Sequence, residues 1–222
     1  MQSSNNSMII SIEGNIGSGK STLLTNLRTV FANRNIVFVD EPVDVWAEIK
    51  DANGTTMLEK FYADQHKYAF SFQIMAYISR LSLLKAALRE NPGAIIITER
   101  SLHTDKMVFA KMLFDSGLIE DVNYQIYLKW FDEFSMECPL HKIIYVKADP
   151  EICIDRIKKR YRAGESVIPL KYLQDCHKYH EQMIQHLCDL NTPLLLLDGD
   201  TDIFENVDTL PAWIARITEF IA

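Results

Sequence analysis

Eight residues near the start of the chain have the types and spacing of a phosphate-binding loop. The segment Gly14–Ser21 is GNIGSGKS and fits the pattern G-x-x-x-x-G-K-[ST]. Its glycines let backbone N–H groups turn inward around a phosphate, and a following helix would add the partial positive charge of its N-terminus. Lys20 could then reach the β- and γ-phosphates, and Ser21 could hold Mg²⁺. The motif indicates use of a nucleoside triphosphate but does not identify the acceptor.

Acidic residues follow three of the apolar runs that we expect to be strands. Glu41 follows NIVFVD, Glu99 follows AIIIT, and Asp149 follows KIIYVKA. Ligands of open α/β sheets bind beyond the carboxyl ends of the strands. Each acid could simply end its strand, and we assign that role to Asp149. Glu99 is placed to bind a metal ion or a water, and Glu41 could take a proton from an attacking hydroxyl.

Four arginines could act on the transferred phosphate. Arg100 directly follows Glu99, and its guanidinium could orient the carboxylates or bind a phosphate oxygen. A structural ion pair would look the same in the sequence. Arg156, Arg160 and Arg162 lie around the end of a predicted helix. They form either a solvated basic face or a lid that closes over the transferring phosphoryl group.

A long predicted helix, Leu58–Arg89, carries a stripe of mixed polarity. The residues at helical spacing, with Phe72 beside them, are Tyr62, Ala69, Gln73, Ala76 and Arg80. Most aromatic stripes belong to a core, but burying Gln73 and Arg80 without partners would be costly. A pocket for a polar, planar ligand removes this conflict, because the Gln73 amide suits the edge of a base and aromatic rings can stack on its face.

Five apolar runs must position these groups. They are Met8–Glu13, Asn35–Glu41, Ala94–Arg100, Lys142–Asp149 and Pro193–Asp200. Near-continuous apolarity is typical of parallel strands covered on both faces. The helical patterns that alternate with them are Lys20–Arg34, Leu58–Arg89, Thr104–Ser116, Asp121–Met136, Pro150–Arg162, Pro169–Leu190 and Val207–Ile221. This alternation predicts an α/β fold, a three-layer α/β/α P-loop NTPase with a five-stranded parallel sheet and a helical lid.

Length and composition fit one domain. The 222 residues are 48% hydrophobic, and we place a single domain at residues 8–222, a lid at about residues 156–168 and a polar tail at residues 1–7. The net charge of −7 disfavours binding to nucleic acid or to an anionic membrane. The apolar runs are shorter than the roughly 20 residues that cross a bilayer. Four cysteines without C-x-x-C spacing favour reduced thiols in a cytoplasmic protein.

The chain resembles cellular deoxynucleoside kinases of the deoxycytidine/deoxyguanosine kinase type. The segments that carry the resemblance occur in the family's order and are GNIGSGKST, DEPVDVW, FQIMAYISR, ERSLHTD and DRIKKRYRAGESVIPLKYL. The resemblance runs from about Met8 to Phe220. It implies ATP-dependent phosphorylation of a deoxynucleoside 5′-hydroxyl in nucleotide salvage, with Mg²⁺ as cofactor and a homodimer as the assembly.

The resemblance also implies roles for individual residues. Glu41 matches the general base, Glu99 matches an acid near the magnesium that is sometimes itself assigned as proton acceptor, and Arg100 matches the residue that holds the 5′-oxygen. With Lys20 they form the predicted catalytic set, and Ser21 and Glu99 the predicted metal site. The implied ATP-binding residues are Gly14, Asn15, Ile16, Gly17, Ser18, Gly19, Lys20, Ser21, Thr22, Arg156, Arg160 and Arg162, with Asp198–Phe204 beside the adenine. The implied substrate-binding residues are Glu41, Trp46, Tyr62, Phe72, Gln73, Ala76, Arg80, Arg100, Asp105, Phe109 and Glu165.

Three of these residues bear on the choice of base. Ala76, Arg80 and Asp105 match the trio of members that favour deoxycytidine and purine deoxynucleosides. An ionised Asp only accepts hydrogen bonds, which suits an exocyclic amino group. We therefore predict deoxycytidine and deoxyadenosine over thymidine, with deoxyguanosine open. The alternative is a broad-specificity or thymidine-favouring enzyme.

Two rival functions share the phosphate loop. A nucleoside monophosphate kinase such as thymidylate kinase would need extra positive charge near the acceptor, and the FQxxxxxxR and EP motifs favour a neutral nucleoside instead. A nucleotide-dependent switch is the other rival, because Asp51–Gly54 fits the DxxG pattern. That segment follows no convincing strand, and no NKxD motif accompanies it.

Overall fold

The structure is a computed structural model that describes residues 7–160 and 168–222, and in these residues five parallel strands form one sheet. The strands are β1 (Met8–Glu13), β2 (Ile36–Val39), β3 (Ile95–Glu99), β4 (Leu140–Lys147) and β5 (Leu194–Asp198). Their order is β2-β3-β1-β4-β5, and each neighbouring pair is parallel. The predicted five-stranded parallel sheet is confirmed, with every strand at its predicted apolar run.

Helices cover both faces of the sheet and complete the predicted three-layer arrangement. In the described ranges they are α1 (Lys20–Val30), α2 (Val43–Glu48), α3 (Met57–Ala63), α4 (Gln65–Glu90), α5 (Leu102–Thr104), a π-helix (Asp105–Ala110), α6 (Lys111–Asp115), α7 (Asp121–Ser135), α8 (Pro150–Arg160), α9 (Leu170–Asp189) and α10 (Thr209–Ile221). None of these described helices has both the length and the apolar character needed to span a membrane.

The two faces of the sheet bury different side chains because neighbouring strand residues point to opposite sides. Ile10 and Ile12 of β1 pack with α1 and α10, where Leu27 and Ile217 are fully buried. Ile9 lies on the other side and packs with α4 and α7. Burial on both faces explains why the strands are apolar without alternation. The phosphate-loop end of β1 is therefore fixed from two sides.

The single helix predicted over Leu58–Arg89 is wrong, because the chain breaks it at Asp64. Asp64 has φ −149° and ψ 85°, which lies outside the helical region. Its carboxylate accepts a hydrogen bond from the Lys67 N–H (3.1 Å) and so caps α4. As a result Tyr62 lies on α3, whereas Gln73 lies on α4.

Two further local features differ from the predicted elements. The helix predicted over Thr104–Ser116 contains a π-helical segment, Asp105–Ala110. Such segments are rare and occur mostly at functional sites. The α2 helix, six residues long and starting directly after Pro42, was not predicted from the sequence.

Ser7, which the sequence analysis assigned to the polar tail, is buried in the structure. Its hydroxyl donates to the Asn91 carbonyl (3.2 Å) and accepts from the Gly93 N–H (2.9 Å). These bonds attach the start of β1 to the turn between α4 and β3. Ser7 therefore belongs to the folded domain and not to the predicted tail. Residues 1–6 lie outside the described residues.

Candidate active site

A cavity of about 430 Å³ lies beyond the carboxyl ends of the central strands, where ligands of α/β sheets bind. Most of the predicted site residues line it. They are Ile16, Gly17, Ser18, Gly19, Lys20, Ser21, Thr22, Glu41, Trp46, Tyr62, Phe72, Gln73, Ala76, Glu99, Arg100, Asp105, Phe109 and Arg156. Chain segments that are far apart in sequence thus meet at one opening.

The phosphate loop connects β1 to α1 in a conformation that needs glycine. Gly14 and Gly17 have positive φ angles of 148° and 82°. A Cβ atom would lie 2.5 Å from the Val146 carbonyl oxygen at Gly14 and 2.6 Å from the Cys153 carbonyl oxygen at Gly17. Any side chain would therefore both strain the backbone and clash with it. The loop can approach β4 and α8 this closely only without side chains.

Lys20 is buried at the first position of α1, beside the loop. Its Nζ donates to the Asn15 carbonyl (2.6 Å). Burial and the nearby Arg100 guanidinium lower the pKa of Lys20 to about 8, although Glu99 and Glu41 oppose this change. Because its surroundings disfavour the charged form of Lys20, a nearby anion would stabilise that form. A triphosphate bound in the loop would supply one.

Asn15 does not line the cavity but stabilises the loop through hydrogen bonds on the side away from it. Its side-chain amide donates to the Leu173 carbonyl (2.9 Å), and its Oδ1 accepts from the Ile16 N–H (2.9 Å). Gly14 also does not line the cavity. These two predicted ATP-binding residues therefore shape the loop from outside the cavity.

Glu41 is held between two buried guanidiniums. Its Oε1 accepts from Arg100 Nη1 (2.5 Å) and from Arg80 Nη2 (3.3 Å). Burial alone would raise the pKa of Glu41, but Arg100, Arg80 and Lys20 outweigh it and lower the pKa to about 2. Glu41 is therefore a carboxylate at any physiological pH.

Arg80 lies behind the cavity wall and organises it. Its side chain is 1% exposed, and its Nε donates to Asp105 Oδ2 (2.9 Å) while its Nη1 donates to the Glu99 carbonyl (2.5 Å). Arg80 is not among the residues that line the cavity, and its predicted contact with substrate stays a prediction. Its contact with the cavity runs through Asp105 and Glu41.

Asp105 has a higher pKa than Glu41. Burial raises the pKa of Asp105 to about 6, and the Arg80 guanidinium only partly offsets this. Arg80 divides its charge between two carboxylates, whereas Glu41 also has Arg100. The two acids of one network thus titrate far apart, as acids with different roles often do.

Ser21 and Glu99 meet at the phosphate end of the cavity. The Ser21 hydroxyl donates to Glu99 Oε1 (2.8 Å), which joins α1 to the end of β3. Hydroxyl and carboxylate oxygens are hard ligands of the kind that Mg²⁺ prefers. Mg²⁺ takes few ligands from the protein and completes its shell with water and phosphate oxygens. The two residues therefore fit a magnesium ion held jointly with a nucleotide.

Arg100 has a strained backbone. Its φ is 62°, a left-handed conformation that costs a residue with a side chain about 1–2 kcal/mol. Its guanidinium lies over the Phe109 ring, 5.2 Å from the ring centre. Non-glycine residues are held in such conformations where the surrounding structure over-determines them, often at active sites.

Aromatic rings form the opposite wall of the cavity. The Phe72 ring stacks on Phe61 with centroids 4.6 Å apart and meets the edge of Trp46 at 5.5 Å. Gln73, 1% exposed, follows Phe72 and lines the cavity. Within the described part of the chain its Oε1 has no hydrogen-bond partner. A buried amide oxygen without a partner is costly, so this wall suits a planar ligand that donates a hydrogen bond.

The outer end of the cavity is bounded by α8 and by the segment after β5. Arg156 Nη1 donates to the Gly199 carbonyl (2.7 Å), and Thr201 and Phe204 line the cavity nearby. Asp149 does not line it, and its N–H donates to Asp200 Oδ1 (2.7 Å). The side chain of Arg160, and Arg162 and Glu165 entirely, lie outside the described residues. Their roles and the lid stay predictions.

Several lining residues were missed by the sequence analysis, among them Val43, Leu58, Phe61, Lys159, Tyr172 and Trp213. Tyr172 meets the edge of the Tyr62 ring at 6.4 Å and closes the cavity from α9. It belongs to the KYL sequence that carried the resemblance, which was the available signal. The sequence could not predict that Phe61 lines the cavity, because the direction of its side chain depends on the helix break at Asp64.

Comparison with known proteins agrees with this geometry. The sequence matches the family model described as Deoxynucleoside kinase over residues 10–222. A fowlpox virus protein named probable deoxycytidine kinase is 34% identical over 220 residues, which cover 96% of this chain and 88% of the relative. Human deoxycytidine kinase is 31% identical over 241 residues, covering 96% and 90%. Human mitochondrial thymidine kinase 2 is 32% identical over 197 residues, covering 86% and 71%.

The chain belongs to the deoxynucleoside kinase family. It is a kinase, a transferase that phosphorylates deoxynucleosides, and the predicted P-loop NTPase fold is confirmed.

The electrostatics of Glu41 predict a pH-dependent stability. Its folded pKa lies below its ordinary value, so the stability it contributes is present above about pH 4.5 and is lost as the pH falls toward 2. Between about pH 5 and about pH 3, wild type should lose more free energy of unfolding than Glu41→Gln, which cannot titrate. Urea unfolding at both pH values measures this.

A matched control is Asp40→Asn. The neighbouring Asp40 pairs with Arg28 at the surface, where its side chain is 62% exposed and the pair contributes little. This variant should follow wild type at both pH values. An equal loss in wild type and Glu41→Gln would contradict the ion-pair assignment.

Proposed function

We propose that this enzyme transfers the γ-phosphoryl group of ATP to the 5′-hydroxyl of deoxycytidine or a purine deoxynucleoside in preference to thymidine, as a step of nucleotide salvage. One observation carries the base preference. Asp105, an acceptor when ionised, lines the same cavity as the Gln73 amide, whose oxygen has no partner in the described residues. Gln73 Oε1 lacks a hydrogen-bond donor, and a carboxylate such as Asp105 can accept a further hydrogen bond beside that of Arg80.

Cytosine and adenine offer such a donor, whereas thymine does not offer it at the matching position. Their exocyclic amino groups can donate to Asp105 or to Gln73 Oε1. Thymine has the O4 acceptor there, and two acceptors facing each other leave a buried carboxylate poorly satisfied. The pairing of Asp105 with Arg80 keeps that carboxylate in place. The Phe72 ring then stacks on the base.

The position of Glu41 supports its role as general base. A carboxylate with a pKa of about 2 is deprotonated at neutral pH and so can accept a proton, but it is a weak base. Phosphoryl transfer passes through a loose transition state in most analyses, so the hydroxyl needs to lose its proton only late. The oxygen is by then strongly acidic, and a weak base suffices. Arg100 holds the carboxylate at the acceptor.

The phosphate end of the cavity supports ATP and Mg²⁺. Lys20 and the loop N–H groups face the phosphates, and Ser21 with Glu99 would hold the metal ion, which neutralises charge on the phosphates when bound. Beyond them, Phe204 and Ile203 line the outer cavity with Trp213. These side chains offer apolar contact to the donor base.

The charges near Glu41 argue against a nucleoside monophosphate as acceptor. A 5′-phosphate brings about two negative charges and needs free cations beside it. Arg80 and Arg100 are already bonded to Glu41 and Asp105. A neutral nucleoside leaves these ion pairs intact.

The base preference predicts an order of substrates. We expect kcat/KM for deoxycytidine and deoxyadenosine to exceed that for thymidine by roughly 5- to 150-fold, since one mispaired buried group costs about 1–3 kcal/mol. Asp105→Asn should reduce this ratio, because the Asn amide can donate to thymine O4. Steady-state kinetics with the four deoxynucleosides and their monophosphates measures both effects.

The control for this panel is Asp132→Asn, at an exposed carboxylate that is paired with Lys106 on the outer surface. It should leave the order unchanged. Thymidine as the best substrate would contradict the base preference. A monophosphate preferred over its nucleoside would move the enzyme to the rival class.

The general-base role predicts the kinetics of Glu41→Gln. Its kcat should fall by roughly 10²–10⁴-fold, with the nucleoside KM little changed, because the amide cannot accept the proton. Rapid-quench measurement of the first turnover checks that the chemical step is affected. Asp40→Asn serves as the neighbouring control. Normal turnover by Glu41→Gln would shift the base to Glu99.

We also propose a homodimer, formed through the α4–α7 face. Tyr77 of α4 packs on Tyr127 and Phe131 of α7. The outer sides of these two helices carry large exposed apolar side chains, which are Ile78, Val122, Ile126 and Trp130. Exposed apolar groups collected on adjacent helices are typical of a protein interface.

This assembly predicts the effect of a charge at its centre. Trp130→Glu should convert a dimer to a monomer, because burying an unpaired carboxylate is costly. Val30→Glu is the control, since Val30 is also half-exposed but lies on α1 at the other face of the sheet. Sedimentation velocity measures the mass. A wild-type monomer, or a dimeric Trp130→Glu variant, would contradict the proposal.

The cysteines support a cytoplasmic location. All four are free thiols. Burial raises the pKa of Cys138 and Cys153 to about 11 and that of Cys176 to about 12. These groups stay protonated and unreactive, as suits structural thiols in a reducing compartment.

A further inference from the structure

Glu13 is a fully buried carboxyl group that the proposed mechanism does not use. It is the last residue of β1 and precedes the phosphate loop, with 0% of its surface exposed. Its Oε2 accepts from the Thr104 hydroxyl (2.5 Å), and among the described residues its Oε1 has no hydrogen-bond partner. A buried acid with so little support is costly for the fold. Its neighbours indicate what it does.

Thr104 links Glu13 to the turn that follows Arg100. The Thr104 hydroxyl lies 3.4 Å from both the N–H and the hydroxyl of Ser101, which is the residue after Arg100. Ser101 is the N-cap residue of α5, and Thr104 ends the helix. The end of β1 is therefore connected through one hydroxyl to the backbone directly beyond Arg100.

A second threonine fixes Arg100 from the preceding side. The Thr98 hydroxyl donates to the Arg100 carbonyl (3.0 Å), and the Arg100 N–H donates to the Ile12 carbonyl (3.0 Å). These bonds hold the two peptide groups that flank the left-handed φ of 62°. Thr98 has no exposed surface, so water cannot replace its hydroxyl.

The Arg100 side chain depends on this backbone for its direction. Its Nη1 bonds to Glu41 and its guanidinium covers the Phe109 ring, but its buried Nε has no partner in the described part of the chain. Side-chain contacts alone thus leave the direction of the guanidinium underdetermined. The negative charge of Glu13 also favours the guanidinium, after the larger effects of Glu41 and Glu99.

We propose that Glu13, Thr98 and Thr104 are positioning residues that hold Arg100 in its left-handed conformation and so aim its guanidinium at Glu41. We call these three residues the Arg100 clamp. The inference rests on the proposed role of Arg100 in phosphoryl transfer. None of its members lines the cavity, so the clamp acts only through Arg100 and does not itself contact the nucleoside.

Paired threonine variants test the clamp. Thr98→Val and Thr104→Val keep the side-chain shape but remove the hydroxyl, and each should lower kcat by roughly 10- to 100-fold, as a small misplacement at a reacting centre does. The nucleoside KM should change little. Thr98→Ser and Thr104→Ser restore the hydroxyl and should restore kcat. Thr218→Val is the control, since its hydroxyl bonds only to the Ile214 carbonyl in α10.

A double-mutant cycle separates positioning from a general loss of structure. In an Arg100→Ala background the valine substitutions should have little further effect on kcat, because the group that they position is gone. Glu13→Gln keeps a hydrogen-bond acceptor for Thr104 and should keep near-normal kcat, whereas Glu13→Leu removes the acceptor and should lower kcat only when Arg100 is present. If the valine variants fail to fold, Glu13→Leu in the two backgrounds, with Glu13→Gln as its conservative control, decides the question.

The outcomes distinguish the inference from the function beneath it. Normal kcat in Arg100→Ala would refute the role of Arg100 in the proposed function and the clamp with it. A damaged Arg100→Ala enzyme together with valine and Glu13→Leu variants of normal kcat would overturn the clamp alone. Equal losses in both backgrounds, or serine variants as damaged as valine variants, would also overturn it.

Discussion

The two buried guanidiniums of Arg80 and Arg100 and their carboxylates are the interaction on which the candidate site depends. Removing a charge from water costs several kcal/mol per ion, and a buried pair offsets this only with good geometry. Here Glu41 shares both arginines, and Asp105 takes the remaining side of Arg80. Removing Glu41 takes away the ion-pair partner of Arg100, and removing Arg80 takes away that of Asp105. The network therefore links β2, α4, the β3 end and the π-helix.

The parallel sheet brings these elements to one edge. In the order β2-β3-β1, the strands that precede Glu41, Arg100 and the phosphate loop are neighbours, so their carboxyl ends open on the same side. In the function that we propose, a donor phosphate held by the loop after β1 would therefore face the carboxylate held after β2. Glu99, at the end of the strand between them, reaches Ser21 at the base of the loop.

Environment gives the two acceptor-side acids different properties. Glu41 pairs with two guanidiniums and has a pKa of about 2. Asp105 pairs with Arg80, which Glu41 shares, and has a pKa of about 6. Both start from similar carboxyl groups. In the function that we propose, this difference suits Glu41 to accept a proton late in the transfer and Asp105 to accept a hydrogen bond from the base. A single arginine, Arg80, couples the two.

The sequence by itself determined the strands, the phosphate loop, the family and most of the cavity residues. These are local or strongly patterned: Gly14–Ser21 is contiguous, and apolar runs such as Met8–Glu13 record burial on both faces. Only the tertiary structure decided what depends on contacts between distant segments. It placed Arg80 behind the wall, moved Tyr62 to a separate helix by capping α4 with Asp64, and brought Thr104 onto Glu13 across 91 positions. Hydrogen bonds and pKa values of this kind depend on distances of a few ångströms between such segments, which no residue pattern along the chain encodes.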